Sequence, residues 1–292
     1  MPLKQTKHGA TNLHLWRTGI TYEQQKGAMY RREWNNVYLH PFPAPSSQKD
    51  IIYCDLRHAM PFPDNSFDAV YALHIIEHLT PKEGVNFLKD ARRVLKPGGI
   101  VRLSTPDLEN IVRTYLTRLQ EAATSPSARN ILRHRWAMIE LIDQMCRDSS
   151  GGEMSKAIAW GEFDLEYGKE RYGDVFDEFY IPSERERPGI LAPPALMERI
   201  LKKIGRMMRQ PFSRNQVSRE EILSDPWRSF EINKWTYDRL SLGRALVESG
   251  FKNILQKPFD QSDIPHWDEY QFDCSTKGNH PIEPSLYMEA RK

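Results

Sequence analysis

The sequence predicts an α/β fold: a parallel sheet flanked by helices, with a long helical insertion before the last two strands. Three observations carry this. "DAVYALHII" is the continuous apolar run that a strand buried on both faces requires. Around it, strand, loop, strand, helix and strand follow one another. After a stretch that reads as helix, two strand-like segments return near the C-terminus.

The first element is "NLHLWRTG", where Leu13 and Leu15 alternate as in a half-buried strand and Gly19 supplies a turn. "EWNNVYLHP" stands where the second strand belongs, and "DIIYCDL" is a short β-rich run ending at an acid. "MPFPDNSF" is a turn-rich loop before the buried strand, with Asp68 at its exit ordering that loop. In "TPKEGVNFLKDARRVLKPGG", Val85, Leu88, Ala91 and Leu95 recur at helical spacing. Thr80, Pro81 and Glu83 form a capping-box start, and Pro97-Gly98-Gly99 a stop. "IVRLSTPD" is the next strand.

Residues 109–230 read as a helical insertion or lid, and 1–108 with 231–292 as the core. "LENIVRTYLTRLQEA" and "RNILRHRWAMIELIDQMCRD" are amphipathic, and "SSGGEM" breaks the second. Further on, "LMERILKKIGRMMRQ" carries an apolar stripe between basic faces. It fits a packed helix with a solvated face first, and a peripheral membrane contact through 196–209 as the alternative. "TYDRLSLGRALVESGF" is a helix ending at Gly250, and "KNILQKPF" and "PSLYMEARK" are the closing strands.

Composition narrows the class. The 292 residues carry a formal net charge of +2, which argues against a dedicated nucleic-acid binder. No apolar run reaches membrane-spanning length, and three scattered cysteines form neither a disulfide framework nor a metal spacing. A cytoplasmic setting is expected, and the oligomeric state is left open.

The order of elements, with "DLRHAMPFPDNSFDAVYALHIIEHL", "RVLKPGGIVRLSTPD", "KWTYDRLSL" and "SLYMEARK", resembles the class I S-adenosylmethionine-dependent methyltransferases, and within them the methyltransferase type 11 group. "DQMCRDSSGGEM" is similar to a stretch in one branch of that group. The resemblance implies a Rossmann-like sheet, S-adenosyl-L-methionine as cofactor and a small-molecule or glycan acceptor. In that family Asp55 would meet the adenine amine and Leu56 would pack on the adenine. The backbone of His74 would touch cofactor.

Two expected anchors are altered. Trp16 and Thr18 stand where the family's first glycines should be, with Gly19 alone nearby. Tyr38 occupies the place of the ribose-binding acid, and Glu33 and His40 are the nearest replacements. Either the loop binds its cofactor in another way, or the chain is a pseudo-methyltransferase acting as a binding or regulatory partner.

Methyl transfer needs alignment of nucleophile, methyl and leaving group, and sometimes the removal of one proton. In "HIIEHL", His74, Glu77 and His78 share one face of a helical turn. The resemblance makes His78 the general base, with Glu77 orienting an imidazole or holding a substrate hydroxyl. The same cluster could bind a divalent metal only with a further ligand such as Asp143 or Glu153, so no metal is expected. Asp143, Gln144 and Arg147, beside the Gly151-Gly152 turn, suit a hydroxyl-rich substrate. Asp143 and Arg147 also suit a plain helix ion pair.

Overall fold

A computed structural model describes residues 12–17, 34–39, 52–146, 152–173, 176, 232–270, 272–274, 281 and 284–292. Its strands are β1 (Asn12–Arg17), β2 (Trp34–Leu39), β3 (Ile52–Cys54), β4 (Phe67–Leu73), β5 (Leu95–Pro106), β6 (Lys252–Lys257) and β7 (Ser285–Arg291). They form one seven-stranded sheet in the order β3-β2-β1-β4-β5-β7-β6. The first five run parallel, and β7 runs antiparallel to both β5 and β6. The returning segments therefore complete the first sheet. The chain order reverses between β1 and β4, the place where open α/β sheets bind ligands beyond their carboxyl ends.

The buried strand β4 shows why the sheet needs cover on both sides. Its side chains alternate, because successive Cβ atoms point to opposite faces. Val70 and Ala72 enter a core with Leu13, Leu15, Val101 and Leu103. Ala69, Tyr71 and Leu73 enter a second core with Ile100, Trp267 and Phe272.

The first core is covered by α1 (Pro81–Val94), through Phe87, Leu88 and Ala91, and by α6 (Arg239–Glu248), through Leu242 and Leu246. The first starts as the sequence indicates, and the second is capped in the same manner. Thr80 N donates to Glu83 Oε2 at 2.8 Å while Glu83 N donates to Thr80 Oγ1 at 3.4 Å. Asp238 caps α6 by accepting from Ser241 N at 2.6 Å. The helix α1 ends at Val94, before Pro97, because the chain has already turned to pair Leu95 with Phe67. Asp68 meets Lys96 Nζ at 2.8 Å, across that same turn.

The second core is covered by the segment from Pro258 to Cys274, which contains the short helix α7 (Trp267–Tyr270). Arg102 of β5 fastens it. Arg102 is fully buried and paired with Asp273 and Glu289, each at 2.8 Å.

Between β5 and α6 the described chain is helical: α2 (Leu108–Thr124), α3 (Ala128–Met145), α4 (Gly152–Trp160) and α5 (Leu165–Tyr172). Trp136, Met154, Ala157, Tyr167, Tyr172 and Phe176 form a small core of their own there. No helix among the described residues is long and apolar enough to cross a membrane. The basic stripe at 196–209 lies outside the described residues.

Candidate active site

Strand β4 ends at Leu73, and His74 turns the chain with φ +48°, in the left-handed region. Its N–H donates to the Ser104 carbonyl of β5 at 2.9 Å, which pins the turn to the sheet. Left-handed backbone is uncommon outside glycine and accumulates at functional sites. A single 3-10 turn follows, Ile76–His78, with all three residues buried.

This geometry brings the three polar residues of "HIIEHL" together. His74 Nδ1 lies 3.0 Å from Glu77 Oε1, and His74 Nε2 lies 2.9 Å from Ser285 Oγ. A carboxylate only accepts, so Nδ1 carries the proton and Nε2 accepts from the serine; this tautomer is assigned from the network. Thr105 Oγ1 donates to Glu77 Oε2 at 3.3 Å. The Glu77 carbonyl accepts from Lys234 N at 2.7 Å and Trp235 N at 3.1 Å. Glu77 is 1% exposed. Nearby Tyr237 has its phenol pushed up to about 12, by burial first and then by the Glu77 charge.

His78 is placed differently from a base that meets substrate. It is 0% exposed, and its Nδ1 donates to the Ile232 carbonyl at 2.9 Å. Its Nε2 sits 4.0 Å from Glu77 Oε1. The ring thus ties the 3-10 turn to the irregular strap, residues 232–238, that precedes α6. The imidazole that reaches outward is that of His74, through Ser285.

Ser285 lines a cavity of about 440 Å³ between α2, α5 and the β6–β7 region. Strand β7 starts where β5 ends, with Ser285 opposite Pro106, so this cavity opens beyond the carboxyl end of β5. Asp107, Arg118, Tyr167, Arg171 and Tyr287 also line it. Nothing in the local sequence singles out Ser285. Only the antiparallel return of β7 places it beside His74.

On the other side of the switch point, Asp55 follows β3. Arg57 holds its carboxylate, with Nε at 2.9 Å from Oδ1 and Nη2 at 2.6 Å from Oδ2. Burial raises the Asp55 pKa, but the Arg57 hydrogen bonds and charge outweigh it, and the net direction is down. Asp55 is therefore an ionised acceptor at a strand end, chemically suited to an adenine amine, and it already orders its own loop. Leu56 turns into the main core and is 1% exposed, so its side chain packs on protein. Trp16 lies within β1 rather than past its end, paired in register with Tyr38 of β2. Gly19 lies outside the described residues, as does Arg147.

The "DQMCRDSSGGEM" stretch acquires a structural reading. Asp143 is buried and its Oδ2 accepts from Met154 N at 2.7 Å, holding the first turn of α4. Gly152 has φ +55°, and a Cβ there would overlap the Asp143 carboxylate. The close approach expected at this glycine is thus made by Asp143 itself, not by a substrate. Gln144 accepts from Asn233 Nδ2, through its backbone oxygen at 2.9 Å and its side-chain oxygen at 3.1 Å. These two residues join the insertion to the strap. Among the described residues no group of three or more His, Cys, Asp and Glu is arranged to hold a metal.

Comparison with known proteins follows the same residues. The family profile described as "Methyltransferase domain" matches residues 32–103, from β2 into β5. The match begins after β1 and after the stretch of sequence that lacks the expected glycines. A sterol 24-C-methyltransferase, ERG6B, of Gibberella zeae is 63% identical over 41 residues, 14% of this chain and 10% of that protein. A probable S-adenosylmethionine-dependent methyltransferase of Mycolicibacterium smegmatis is 40% identical over 57 residues, 18% of this chain and 21% of that protein. The chain thus spans about a tenth to a fifth of the length of these curated relatives. A solved S-adenosylmethionine-dependent methyltransferase from Mesorhizobium loti aligns over 99% of this chain and 94% of that one, with 14% identity and a TM-score of 0.37. At that score the alignment adds nothing to the strand order described above.

Proposed function

We propose that this chain, whose residues 32–103 match a methyltransferase domain, is a class I methyltransferase that moves a methyl group from S-adenosylmethionine to an oxygen or nitrogen of a polar acceptor. A sugar unit or a natural-product intermediate held in the 440 Å³ cavity suits this reading. The observation that carries it is the hydrogen-bonded chain from Ser285 through His74 to Glu77.

When bound, the cofactor supplies an electrophilic methyl on a sulfonium leaving group. Asp55 is the described residue best suited to hold its adenine, with the backbone at His74 beyond the end of β4, across β2 and β1 from it. The protein's remaining task is to orient the acceptor and remove its proton. Ser285 Oγ takes the proton from the acceptor hydroxyl or amine as its own passes to His74 Nε2. Glu77, ionised and buried, offsets the charge that develops on the imidazole. Thr105 holds the Glu77 carboxylate, and His78, through the Ile232 carbonyl, holds the 3-10 turn that carries it. This moves the base role from His78 to His74 and makes His78 a positioning residue.

The test has two parts. Calorimetric titration with S-adenosylhomocysteine, after co-purified ligand is removed, is expected to show saturable binding. No binding to well-folded protein would favour the pseudo-methyltransferase, whose support is that the family match starts only after β1. Then His74→Asn, which tolerates the left-handed backbone, is assayed on a panel of hydroxylated and amino-sugar acceptors by release of S-adenosylhomocysteine. Turnover is expected to fall by about 10²–10⁴-fold with cofactor binding retained. Unchanged turnover would sink the relay.

A further inference from the structure

Arg171 on α5 is a buried arginine whose donors are only partly used. Its Nε donates to Glu140 Oε1 and Oε2 at 3.0 and 2.9 Å, and its Nη1 to Asn110 Oδ1 at 2.7 Å. Its Nη2 has no partner, although the side chain is only 9% exposed. Two other buried polar atoms lie on the same cavity wall: Arg118 Nε and Tyr167 Oη. The Arg118 guanidinium lies over the Tyr167 ring, 4.6 Å from Cζ to the ring centroid, and the two side chains answer each other electrostatically.

All three groups can donate, the two guanidinium donors cannot accept, and Arg118 and Tyr167 have chiefly each other, which leaves Arg171 Nη2 as the donor without a partner. Buried donors are nearly always satisfied, so an unsatisfied one calls for an acceptor from outside the chain. The acids on this wall are already committed. Asp107 caps α2 by accepting from Asn110 N at 3.2 Å, and Glu170 faces Arg118 at 3.5 Å and Arg133 at 3.8 Å. Ser285, the cavity end of the relay, lines the same space, and the Tyr287 ring flanks it.

We propose that the cavity binds an oxyanion carried by the acceptor, a carboxylate or a phosphate, on Arg171 with Arg118 and Tyr167 beside it, while the acceptor's reacting group lies at Ser285. This deepens the methyltransferase reading and rests on it: the substrate class becomes an anionic, hydroxyl-bearing molecule such as an acidic sugar. A guanidinium fork recognises planar carboxylate and phosphate edges better than an ammonium does.

The experiment is calorimetric titration of the full chain, saturated with S-adenosylhomocysteine, by three probes: D-glucuronate, D-glucose 6-phosphate and neutral D-glucose. At least one charged probe is expected to bind roughly tenfold or more tighter than glucose. The stronger of the two identifies carboxylate or phosphate as the source. Arg171→Gln alone strands Glu140, so the double variant Glu140→Gln with Arg171→Gln keeps the pair neutral. It is expected to lose the charged preference while still binding S-adenosylhomocysteine. Arg118→Gln, which leaves the Glu140 pair intact, should reduce the same preference. Equal binding of charged and neutral probes, no saturable binding by either charged probe, or a preference that survives in both variants would overturn the proposal. Failure of S-adenosylhomocysteine to bind wild-type protein would instead strike the methyltransferase reading, and the charged preference, measured without it, would be read separately.

Discussion

Arg102 on β5 and Arg171 on α5 are both buried and both paired with carboxylates, but their surroundings differ in one respect. Arg102 has five N–H groups and five hydrogen bonds. Nε reaches Asp273, Nη1 reaches Glu289 and the Gln261 carbonyl, and Nη2 reaches the carbonyls of Pro258 and Phe259, at 2.8–3.2 Å. The Trp267 ring lies 4.4 Å from its Cζ. Tyr71 donates to Asp273, and Ser262 to Glu289. Nothing is left for a ligand to do. Arg171 has Nη2 unmatched, beside a cavity. A saturated buried guanidinium fastens chain to chain, whereas an unsaturated one marks where something else binds. Tyr287 borders both, at 5.2 Å from Arg102 and on the cavity wall.

The largest effect is expected where saturation is complete. Arg102→Met leaves Asp273 and Glu289 buried without their cation, and should cost about 3–5 kcal/mol in chemical denaturation. A loss below about 1 kcal/mol would mean that Arg102 is not the fastening it looks like. The double replacement at Glu140 and Arg171 should cost no more than about 1–2 kcal/mol, because a pair removed together strands no charge. If that double variant were the less stable of the two, the contrast between the two arginines would collapse.

Legibility followed the same division. The sheet was readable because burial on both faces writes an apolar run into "DAVYALHII", and because Thr80 with Glu83 uses local chemistry to start its helix. The grouping of His74, Glu77 and His78 was readable as well, since they lie within one turn of chain. Which imidazole connects to the cavity wall was not, because it depends on Ser285, 211 residues away in sequence. The Arg102 fastening was missed for the same reason, its carboxylates being 171 and 187 positions distant. Asp143 shows the opposite error: a glycine that looks made for a ligand makes room for a side chain of the same segment.

A smaller effect is expected at Asp164, which caps the helix that carries Tyr167 and Arg171. Its Oδ1 accepts from Glu166 N and Tyr167 N at 3.0 and 3.3 Å, and its Oδ2 meets Arg133 Nε at 2.8 Å. Burial raises its pKa, but Arg133, the backbone bond and Arg129 outweigh this and the net direction is down. A depressed carboxylate contributes stability above its unfolded value and loses it as pH falls through the folded value. Asp164→Ala should therefore cost about 1 kcal/mol at neutral pH, and the gap to wild type should close only in acid, below about pH 4. A gap that is the same at pH 7 and pH 3 would assign the loss to packing of α5 rather than to the charge.

The smallest effect concerns a group that burial moves with no partner to offset it. Cys54, at the end of β3, has its thiol pushed up to about 11, first by desolvation and then by the charges of Asp55 and Asp90. Arg102 is desolvated more completely, yet its carboxylates keep it charged. In a variant with serine at Cys146 and Cys274, the thiolate fraction of Cys54 at pH 8 should be about a thousandth. Its labelling by a disulfide reagent should keep rising about tenfold per pH unit up to pH 10, where an ordinary thiol with a pKa near 8.5 has levelled off. A plateau near pH 9 would show that water reaches the end of β3. The crevice beside Asp55 would then be open to solvent, and the shift would have to be discounted as screening removes it. A continued rise would place Cys54 and its neighbour Asp55 in the same desolvated setting as the arginines, with hydrogen-bonded partners alone deciding which of these groups stays charged.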